Sequence, residues 1–389
     1  MLNIILRDIP DVHANLLPIT LTRPVADIRS GILTIREKWE HMLPGVYSYL
    51  TTDYLSVKYP CIYRPDGDNI IISSHILPTP DMVEAVAALK IGQALMAGDE
   101  ELARRGTPDE EPTERLQHTE VPTALHHLYD IFRYNDIALE FDFLLLTQSR
   151  QSQPISPTNT IIGNPGRVFL EDGASMEGAI VNVNAGPVYI GRDAEVMEGT
   201  CIRGGLALCK GSQIKMGAKI YGATTIGPHC KVGGEVANSV FIGYSNKAHD
   251  GFLGNSVIGE WCNLAAGTVA SNLKNDYTEV KLWNYPKRRF LRTGLQFCGL
   301  IMADHSKTGI NTMLNTATVL GVGVNIHGAG YPRNFIPSFM EGSTAGLYEV
   351  PITKFLDTAE RVKARRNVKL TPVDIDLYRH LYQMLDDYK

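Results

Sequence analysis

Four of the 11 histidines lie between residues 200 and 330, at His229, His249, His305 and His327. A histidine titrates near neutral pH and can accept a proton from a reacting amine or hydroxyl. No two of the four have the close paired spacing of zinc ligands, so the sequence disfavours metal chemistry here. From the residues alone, His249 is most simply an exposed loop histidine, and His305 is the rival base.

A second candidate is a cluster of cations between residues 281 and 292. Its members are Lys281, Lys287, Arg288, Arg289 and Arg292. Such side chains suit phosphate groups, although the pattern alone favours a solvated basic loop. Trp283 and Tyr285 indicate that this segment packs against the protein.

The candidates lie within a stretch that has a six-residue period. Its aliphatic positions are Ile190, Val196, Ile202, Leu208, Ile214, Ile220, Ile226 and Val232. Helices and strands repeat near 3.6 and 2, so this period predicts a solenoid with one inward aliphatic per flat face. Gly191 and Gly227 follow their aliphatics, where glycine permits backbone angles that other residues resist.

The same spacing continues on both sides. Upstream it falls, in another phase, on Ile162, Val168, Ala174 and Ile180; downstream it falls on Phe252, Ile258, Leu264 and Ala270, then on Met302, Thr308, Leu314, Leu320 and Ile326. Phase breaks near 181–189, 233–251 and 271–301 predict loops, the second of which contains His249. The sequence therefore predicts a parallel β-helix of hexapeptide repeats over residues 155–330.

Residues 1–150 lack the period and alternate strand-like with helix-like segments, which indicates an α/β domain with a mainly parallel sheet. The expected strands are Asn3–Leu6 and Asn69–Ser73, and the expected helices are Ser30–Leu43, Pro80–Lys90 and Asp99–Arg105. Residues 151–160 form the expected linker. Residues 331–389 predict coil followed by the helices Thr353–Arg366 and Pro372–Tyr388, which would cap the open end of the solenoid.

Composition indicates a soluble globular protein of two or three domains, with 389 residues, 44% hydrophobic and 20% charged. The formal charge of −5 argues against general nucleic-acid binding. No stretch has the length of a membrane span, and the first residues do not form a signal peptide. Six cysteines without zinc spacing agree with a cytoplasmic location.

Four long motifs resemble a known family. They are Thr22–Arg29 with Gly31–Trp39, Ile220–Glu235, His249–Gly259 and Asp304–Thr312. They are similar to the bifunctional UDP-N-acetylglucosamine diphosphorylase/glucosamine-1-phosphate N-acetyltransferase-like proteins, known mainly from Bacteroidetes. The resemblance implies a shortened nucleotidyltransferase-like α/β domain, then a left-handed parallel β-helix acyltransferase domain and C-terminal helices, assembled as a homotrimer.

The resemblance also assigns roles in acetyl transfer. His249 matches the catalytic base, and Asn272 matches the residue that polarises the acetyl carbonyl. Asn263 matches a contact to the amino sugar, and Glu235 and Lys247 are the other expected substrate-binding residues.

Phe252 stands where the better-studied bifunctional enzyme has a tyrosine that binds the sugar phosphate, and Ile310 stands where it has a serine that helps to bind coenzyme A. The expected acetyl-CoA contacts are Ala266, Lys307, Arg288 and Arg292.

For uridylyl transfer, the usual glycine-rich loop has no counterpart here. Arg23, Arg29 and Lys38 are the expected phosphate-binding cations, and the alternative is an amphipathic helix with solvated charges. The expected strand Ile70–His75 ends without the aspartate that normally binds magnesium. Asn135 matches the second metal position, and Mg²⁺ is expected as a cofactor.

Four hypotheses remain. The first is a bifunctional enzyme that uses acetyl-CoA, glucosamine-1-phosphate and UTP or another nucleoside triphosphate. The second is an acetyltransferase alone, and the third is a hexose-1-phosphate nucleotidyltransferase (for example a thymidylyltransferase) in which the solenoid serves as a trimeriser. The fourth, and least favoured, is a scaffold without enzyme activity.

Overall fold

The computed structural model describes residues 1–65 and 67–388, the last two by backbone alone. The chain forms two compact units. The first unit contains residues 1–28 and 33–127, and the second contains residues 29–32 and everything from residue 128 onwards. The segment 128–150, expected in the N-terminal domain, therefore lies with the second unit.

The first unit is built on a six-stranded sheet. Its strands are β1 (Leu2–Arg7), β2 (Gly45–Leu50), β3 (Ile70–Ser73), β4 (Gln93–Ala97), β5 (Glu100–Arg105) and β6 (Glu114–Gln117). Their order is β2-β1-β3-β5-β4-β6, and only β5 is antiparallel to its neighbours in this sheet. The mainly parallel α/β sheet is confirmed.

The helices of the first unit are α1 (Pro10–Asn15), α2 (Ile35–Met42), α3 (Asp53–Ser56) and α4 (Pro80–Ala88), with 3₁₀ turns at Ile19–Leu21 and Val25–Asp27. The expected helix Asp99–Arg105 is wrong, because this segment is β5. Leu102 and Ala103 are buried in the sheet, so pairing with β3 and β4 overrides its helix-forming composition.

The helix expected from Ser30 begins later, at Ile35, where Thr34 accepts a hydrogen bond from the Glu37 amide in a capping box. Residues 29–32 instead belong to the second unit. Gly31 has φ +80°, and a Cβ there would lie 2.5 Å from Asp142 Oδ2, so only glycine fits. Asp142 Oδ2 accepts from the Ile32 amide at 2.7 Å.

Asn135 holds this segment rather than a metal. Its Oδ1 accepts from the Gly31 amide at 2.7 Å and from Thr225 Oγ1 at 3.0 Å, and its Nδ2 donates to Ala223 O at 2.8 Å. The side chain is fully buried. In this structure, protein hydrogen bonds therefore occupy the amide that was expected to bind magnesium.

In the second unit, helices α5 (Asp130–Arg133) and α6 (Asn135–Thr147) precede a parallel β-solenoid. Face A consists of strands Thr160–Ile162, Ile180–Asn182, Cys201–Arg203, Lys219–Tyr221, Glu235–Ala237, Phe252–Gly254, Val269–Ala270 and Met313–Leu314. Face B consists of Val168–Leu170, Val188–Ile190, Leu206–Leu208, Thr224–Ile226, Val240–Gly243, Val257–Glu260, Ile301–Met302, Val319–Leu320 and Phe335–Ile336. Face C consists of Ser175–Met176, Glu195–Val196, Gln213–Ile214, Lys231–Val232, Asn246–Lys247, Asn263–Leu264, Lys307–Thr308, Asn325–Ile326, Met340–Ser343 and Gly346–Glu349.

Successive coils stack in register, so that Ile202 pairs with Ile220 on face A and Leu208 with Ile226 on face B. All eight aliphatic residues of the unbroken six-residue run are buried in the solenoid core. The hexapeptide solenoid is confirmed. It extends past residue 330, because Ile336 takes the next inward position after Leu320.

Before residue 190, the residues predicted to face the core on face A are displaced by one position from those that do. Ile162 and Ile180 are 43% and 48% exposed, whereas Ile161 and Val181 face the core. Downstream, Leu253 rather than Phe252 takes the inward position. A strand alternates its side chains, so an error of one residue moves the prediction to the opposite face.

Gly191 and Gly227 are needed for a different reason from the one expected. A Cβ on Gly227 would lie 2.1 Å from Ile242 O in the next coil, and one on Gly191 would lie 2.9 Å from Lys210 N. Neither has a positive φ, so close approach of the neighbouring backbone, rather than an unusual dihedral angle, requires glycine.

A ladder of rings runs along the corner between faces B and C. Its members, here called the corner ladder, are His229, Tyr244, Trp261 and His305. The C-terminal helices α7 (Ile352–Ala364), α8 (Pro372–Gln383) and α9 (Leu385–Tyr388) follow the solenoid. Tyr378 of α8 contacts His305, and Lys363 of α7 lies over Trp261, so these helices pack along a side of the solenoid.

No helix in the described part of the chain is both long and apolar enough to cross a membrane.

The bonds of Asn135 predict a stability defect. Asn135→Ala should lower the free energy of unfolding of the second unit by about 1–3 kcal/mol, because it leaves buried polar groups without partners. The exposed neighbour provides the control, since Asp136→Ala should change it by less than about 0.5 kcal/mol. Urea unfolding with and without Mg²⁺ measures both. A defect in Asn135→Ala that appears only with Mg²⁺ would contradict the structural role.

Candidate functional site

A cavity of about 650 Å³ lies on the outer side of face C, next to α7. It brings together His249, Asn263, Ala266 and Lys307, which are four of the expected site residues. The other lining residues are Lys231, Tyr244, Asn246, Ala248, Trp261, Cys262, Leu264, Ala265, Ile310, Val362, Arg365 and Arg366. Ile310, expected at a coenzyme-binding position, is thus also at this cavity.

Coil stacking explains how residues distant in sequence meet here. Asn246 pairs with Asn263, and Asn263 pairs with Lys307, on three successive strands of face C. His249 and Ala266 follow the first two of these strands at the turn towards face A. His249 is exposed, so its imidazole is accessible to a ligand in the cavity.

Basic side chains surround one side of this cavity. Lys231, Lys307, Arg365 and Arg366 line it, and none of its described lining residues is acidic. Burial and the neighbouring Arg366 lower the pKa of Lys231. The Lys307 amine donates to His305 O at 2.8 Å, and burial lowers its pKa. This excess of positive charge suits an anionic ligand.

Lys247 does not reach the cavity. It pairs with Val232 on face C, and its side chain occupies a core position that aliphatic residues fill in the earlier coils. Its amine donates to Gly233 O and His249 O, both at 2.9 Å. Burial lowers its pKa to about 8. Lys247 therefore positions the backbone of His249, and its buried amine, expected to contact the substrate, does not line this cavity.

His305 is buried in the corner ladder. Its Nε2 lies 3.0 Å from Tyr378 Oη, and burial lowers its pKa to about 3. His305 is therefore a packing residue, and its alternative role as the catalytic base is excluded by its burial.

Glu235, Phe252 and Asn272 lie elsewhere, on face A or at its end. Glu235 pairs with Phe252, and Glu235 Oε1 accepts from Tyr221 Oη at 2.5 Å. Asn272 Nδ2 donates to Asn255 Oδ1 at 2.8 Å. The described lining of the His249 cavity includes none of the three. Within one chain, the expected acetyl-transfer residues therefore lie in two separate places, the His249 cavity and face A.

The basic cluster forms a two-stranded hairpin, Lys281–Asn284 with Arg289–Arg292. Trp283 stacks on Phe335 at 4.2 Å between ring centroids, which confirms its packing role. Arg288 and Arg292 are exposed on this hairpin and do not line the His249 cavity.

The three expected phosphate-binding cations are buried. Arg23 Nη1 donates to Ile19 O at 3.3 Å, Lys38 Nζ donates to Leu33 O at 3.4 Å, and Arg29 Nη1 donates to Ile32 O. They are 4%, 0% and 7% exposed, respectively. The alternative of a solvated helix face is thus wrong, and in this conformation the three cations support the local backbone.

Sequence reasoning missed Lys231, Arg365 and Arg366. The available signal was the Arg365-Arg366 pair at the end of α7. Basic residues are common at the C-terminal ends of helices, so this pair alone does not indicate a binding site. Its position at the cavity depends on packing of α7 against face C, where Arg366 Nη2 donates to Asn246 Oδ1 at 3.0 Å.

Residues 4–151 match the family described as sugar nucleotidyl transferase. A bifunctional sugar-1-phosphate nucleotidylyltransferase/acetyltransferase of Sulfurisphaera tokodaii is 34% identical over 144 residues, or 36% of this chain and 35% of that protein. The bifunctional protein GlmU of Synechococcus elongatus is 25% identical over 174 residues, or 43% of this chain and 30% of that protein. An Arabidopsis UDP-N-acetylglucosamine acyltransferase structure has 12% identity and a TM-score of 0.28, covering 60% of this chain and 93% of that chain.

The N-terminal region is thus nucleotidyltransferase-like and precedes a hexapeptide-type solenoid. The matched part spans about a third of the length of these two curated relatives. The family match over residues 4–151 supports the prediction that the chain is a transferase.

The buried amine of Lys247 predicts a pH-dependent stability. The folded state releases this proton near pH 8 and the unfolded state near 10.5, so the unfolded state binds more protons between these values. Wild-type stability should therefore rise relative to Lys247→Met by up to about 1.4 kcal/mol per pH unit from pH 8 to 10.

Urea unfolding of both proteins at pH 8, 9 and 10 measures this difference. Lys369→Met, which removes an exposed lysine between α7 and α8, should follow the wild-type pH dependence. Parallel curves for wild type and Lys247→Met would contradict a shifted pKa.

Proposed function

We propose that the second unit transfers an acetyl group from acetyl-CoA to glucosamine-1-phosphate and that the first unit transfers uridylyl from UTP to the product, giving UDP-N-acetylglucosamine. The observation that carries the first half is the cavity in which an accessible His249 and Asn263 meet four cationic side chains. The family match over residues 4–151 supports the second half.

In acetyl transfer, the sugar amine must lose a proton as it attacks the thioester carbonyl, and the coenzyme A thiolate then leaves. His249 is the proposed proton acceptor. Its backbone carbonyl is held by Lys247 Nζ at 2.9 Å, so the loop that carries the imidazole is anchored to the solenoid core. Asn263, one coil further on, is the proposed contact to the amino sugar.

The cationic side of the cavity is suited to phosphate groups, which both proposed substrates carry. Arg365 and Arg366 extend from the end of α7, and Lys231 and Lys307 extend from face C. Arginine can bind phosphate with two parallel hydrogen bonds, whereas lysine offers a point charge. We assign these four residues to the phosphates of the coenzyme or of the sugar.

A homotrimer is part of the proposal, because one chain keeps Asn272, Glu235 and Phe252 apart from the His249 cavity. Face A is the side on which these residues lie, and it exposes apolar side chains. Ile180, Tyr221 and Val269 on face A are 48%, 38% and 38% exposed. Packing of face A against the neighbouring copy would bury this surface and bring its polar residues to the neighbour's cavity.

An acetyltransferase alone is the second candidate. It is favoured by the burial of Arg23 and Lys38, whose charges are used by backbone carbonyls of the first unit. The magnesium position expected at Asn135 does not fit this structure either, since protein groups occupy its amide. Uridylyl transfer would then be weak or absent while acetyl transfer remains.

Loss of His249 should remove acetyl transfer. We expect His249→Ala to lower kcat for thiol release from acetyl-CoA and glucosamine-1-phosphate by about 10²–10⁴-fold, the usual contribution of a general base. His327→Ala, at an exposed histidine outside the cavity lining, is the matched control and should keep wild-type activity. Equal activity of His249→Ala and wild type would refute the assignment of the base.

Pyrophosphate release from UTP and N-acetylglucosamine-1-phosphate tests the first unit in the same three proteins. Release in all three supports the bifunctional enzyme. Thiol release without pyrophosphate release selects the second candidate.

The trimer predicts a mass change on substitution of face A. Ile180→Asp places a charge in the proposed interface and should shift the particle mass from three chains to one, as measured by sedimentation equilibrium. Ile91→Asp changes an isoleucine of the first unit that is 61% exposed and should leave the trimer intact. A monomeric wild type, or a trimeric Ile180→Asp protein, would count against face A as the interface.

A further inference from the structure

We propose that the first unit binds one divalent transition-metal ion, of the Zn²⁺ type, between His75, Glu100 and His126. The three residues offer two imidazole nitrogens and one carboxylate oxygen, which all lie within 4.8 Å of one another. This inference does not depend on acetyl transfer at His249.

The distances suit a shared ion. His75 Nε2 lies 2.7 Å and His126 Nε2 lies 3.8 Å from the same atom, Glu100 Oε1. A tetrahedral zinc ion with bonds of about 2.0–2.1 Å needs donor atoms about 3.4 Å apart. The distances from Glu100 Oε1 to His75 Nε2 and His126 Nε2 would therefore have to change by about 0.7 Å and 0.4 Å, respectively, to reach ligand spacing, and side-chain rotation can supply such changes.

The sheet fixes the three ligands from different sides. His75 follows the end of β3, and Glu100 begins β5, which pairs antiparallel with β3. The strand-like segment before His126 is joined to the segment at His75, because Ile76 bridges Ala124 and the Leu125 amide donates to His75 O at 2.9 Å. Backbone hydrogen bonds therefore hold all three positions, as a preorganised metal site requires.

The location also suits a ligand. His75 lies at the carboxyl end of β3, one of the parallel strands, and ligands of open α/β sheets bind at that edge. His75 is 1% exposed, so its ring is held firmly within the first unit. Glu100 and His126 are 34% and 45% exposed in their side chains, so an ion could enter from solvent.

The donor set specifies the class of ion. Two imidazoles and one carboxylate favour zinc and related transition metals over Mg²⁺ or Ca²⁺, which prefer oxygen ligands. Three protein ligands leave a fourth position for water or a substrate oxygen. The competing explanation is a simple His75–Glu100 ion pair, with the His126 ring packed edge-on against His75.

Titration of the metal-stripped full-length chain with Co²⁺ separates these explanations, because tetrahedral Co²⁺ absorbs visible light. We expect one Co²⁺ per chain, displaced by Zn²⁺. Glu100→Gln and His126→Ala should each weaken binding by at least about tenfold, the lower limit for loss of even an outer-shell partner. His41→Ala, at an exposed histidine of the same unit, should bind as wild type does.

Thermal unfolding with and without Zn²⁺ provides a second readout. The ion should raise Tm in wild type and His41→Ala and have little effect in Glu100→Gln and His126→Ala, whose half-exposed positions tolerate substitution. Absence of Co²⁺ binding to wild type would overturn the proposal. So would binding that survives unchanged in both cluster variants.

Discussion

In-register stacking of parallel coils is the constraint on which the second unit depends. Each coil must place its side chains directly above those of the coil before, since backbone hydrogen bonds join equivalent positions. The same rule builds the aliphatic core inside and the corner ladder outside. It also aligns Asn246, Asn263 and Lys307 along face C, so the cavity is a consequence of repetition. Lys247 departs from this pattern, because it places an amine in a core position and binds the His249 carbonyl.

The periodic part of this design was accessible from sequence, and its limits follow from strand geometry. The six-residue period identified the inward residues wherever it ran unbroken, from Ile190 to Val232. Beyond the phase breaks, Ile162 and Phe252 were placed inward although Ile161 and Leu253 occupy those positions. Alternation of side chains across a strand makes neighbouring residues of similar character hard to distinguish. Gly227 is required because the backbone of the next coil, at Ile242, approaches it closely. A local sequence pattern does not reveal such a contact between coils.

The candidate site likewise has residues that the sequence predicted and residues that it did not. His249, Asn263, Ala266 and Lys307 were assigned to the site by the motif resemblance, and stacking of successive coils brings all four to one cavity. Arg365 and Arg366 were missed because their place at the cavity depends on tertiary packing of α7. The sequence also did not reveal that the side chains of Arg23, Lys38 and Asn135 make hydrogen bonds to backbone groups. Charge and amide chemistry in a sequence do not reveal whether a side chain is already used internally.

The loop at residues 271–300 has a consequence for how the second unit forms. Most strands of the solenoid pair with the equivalent strand of the preceding coil, which is close in sequence. Assembly can therefore proceed by adding one coil at a time to an existing end. Across this loop, Ile258 must find Met302. Closing that longer loop costs more chain entropy than any other step between neighbouring coils on face B. The joining of Ile258 to Met302 should therefore be the slowest pairing step on face B.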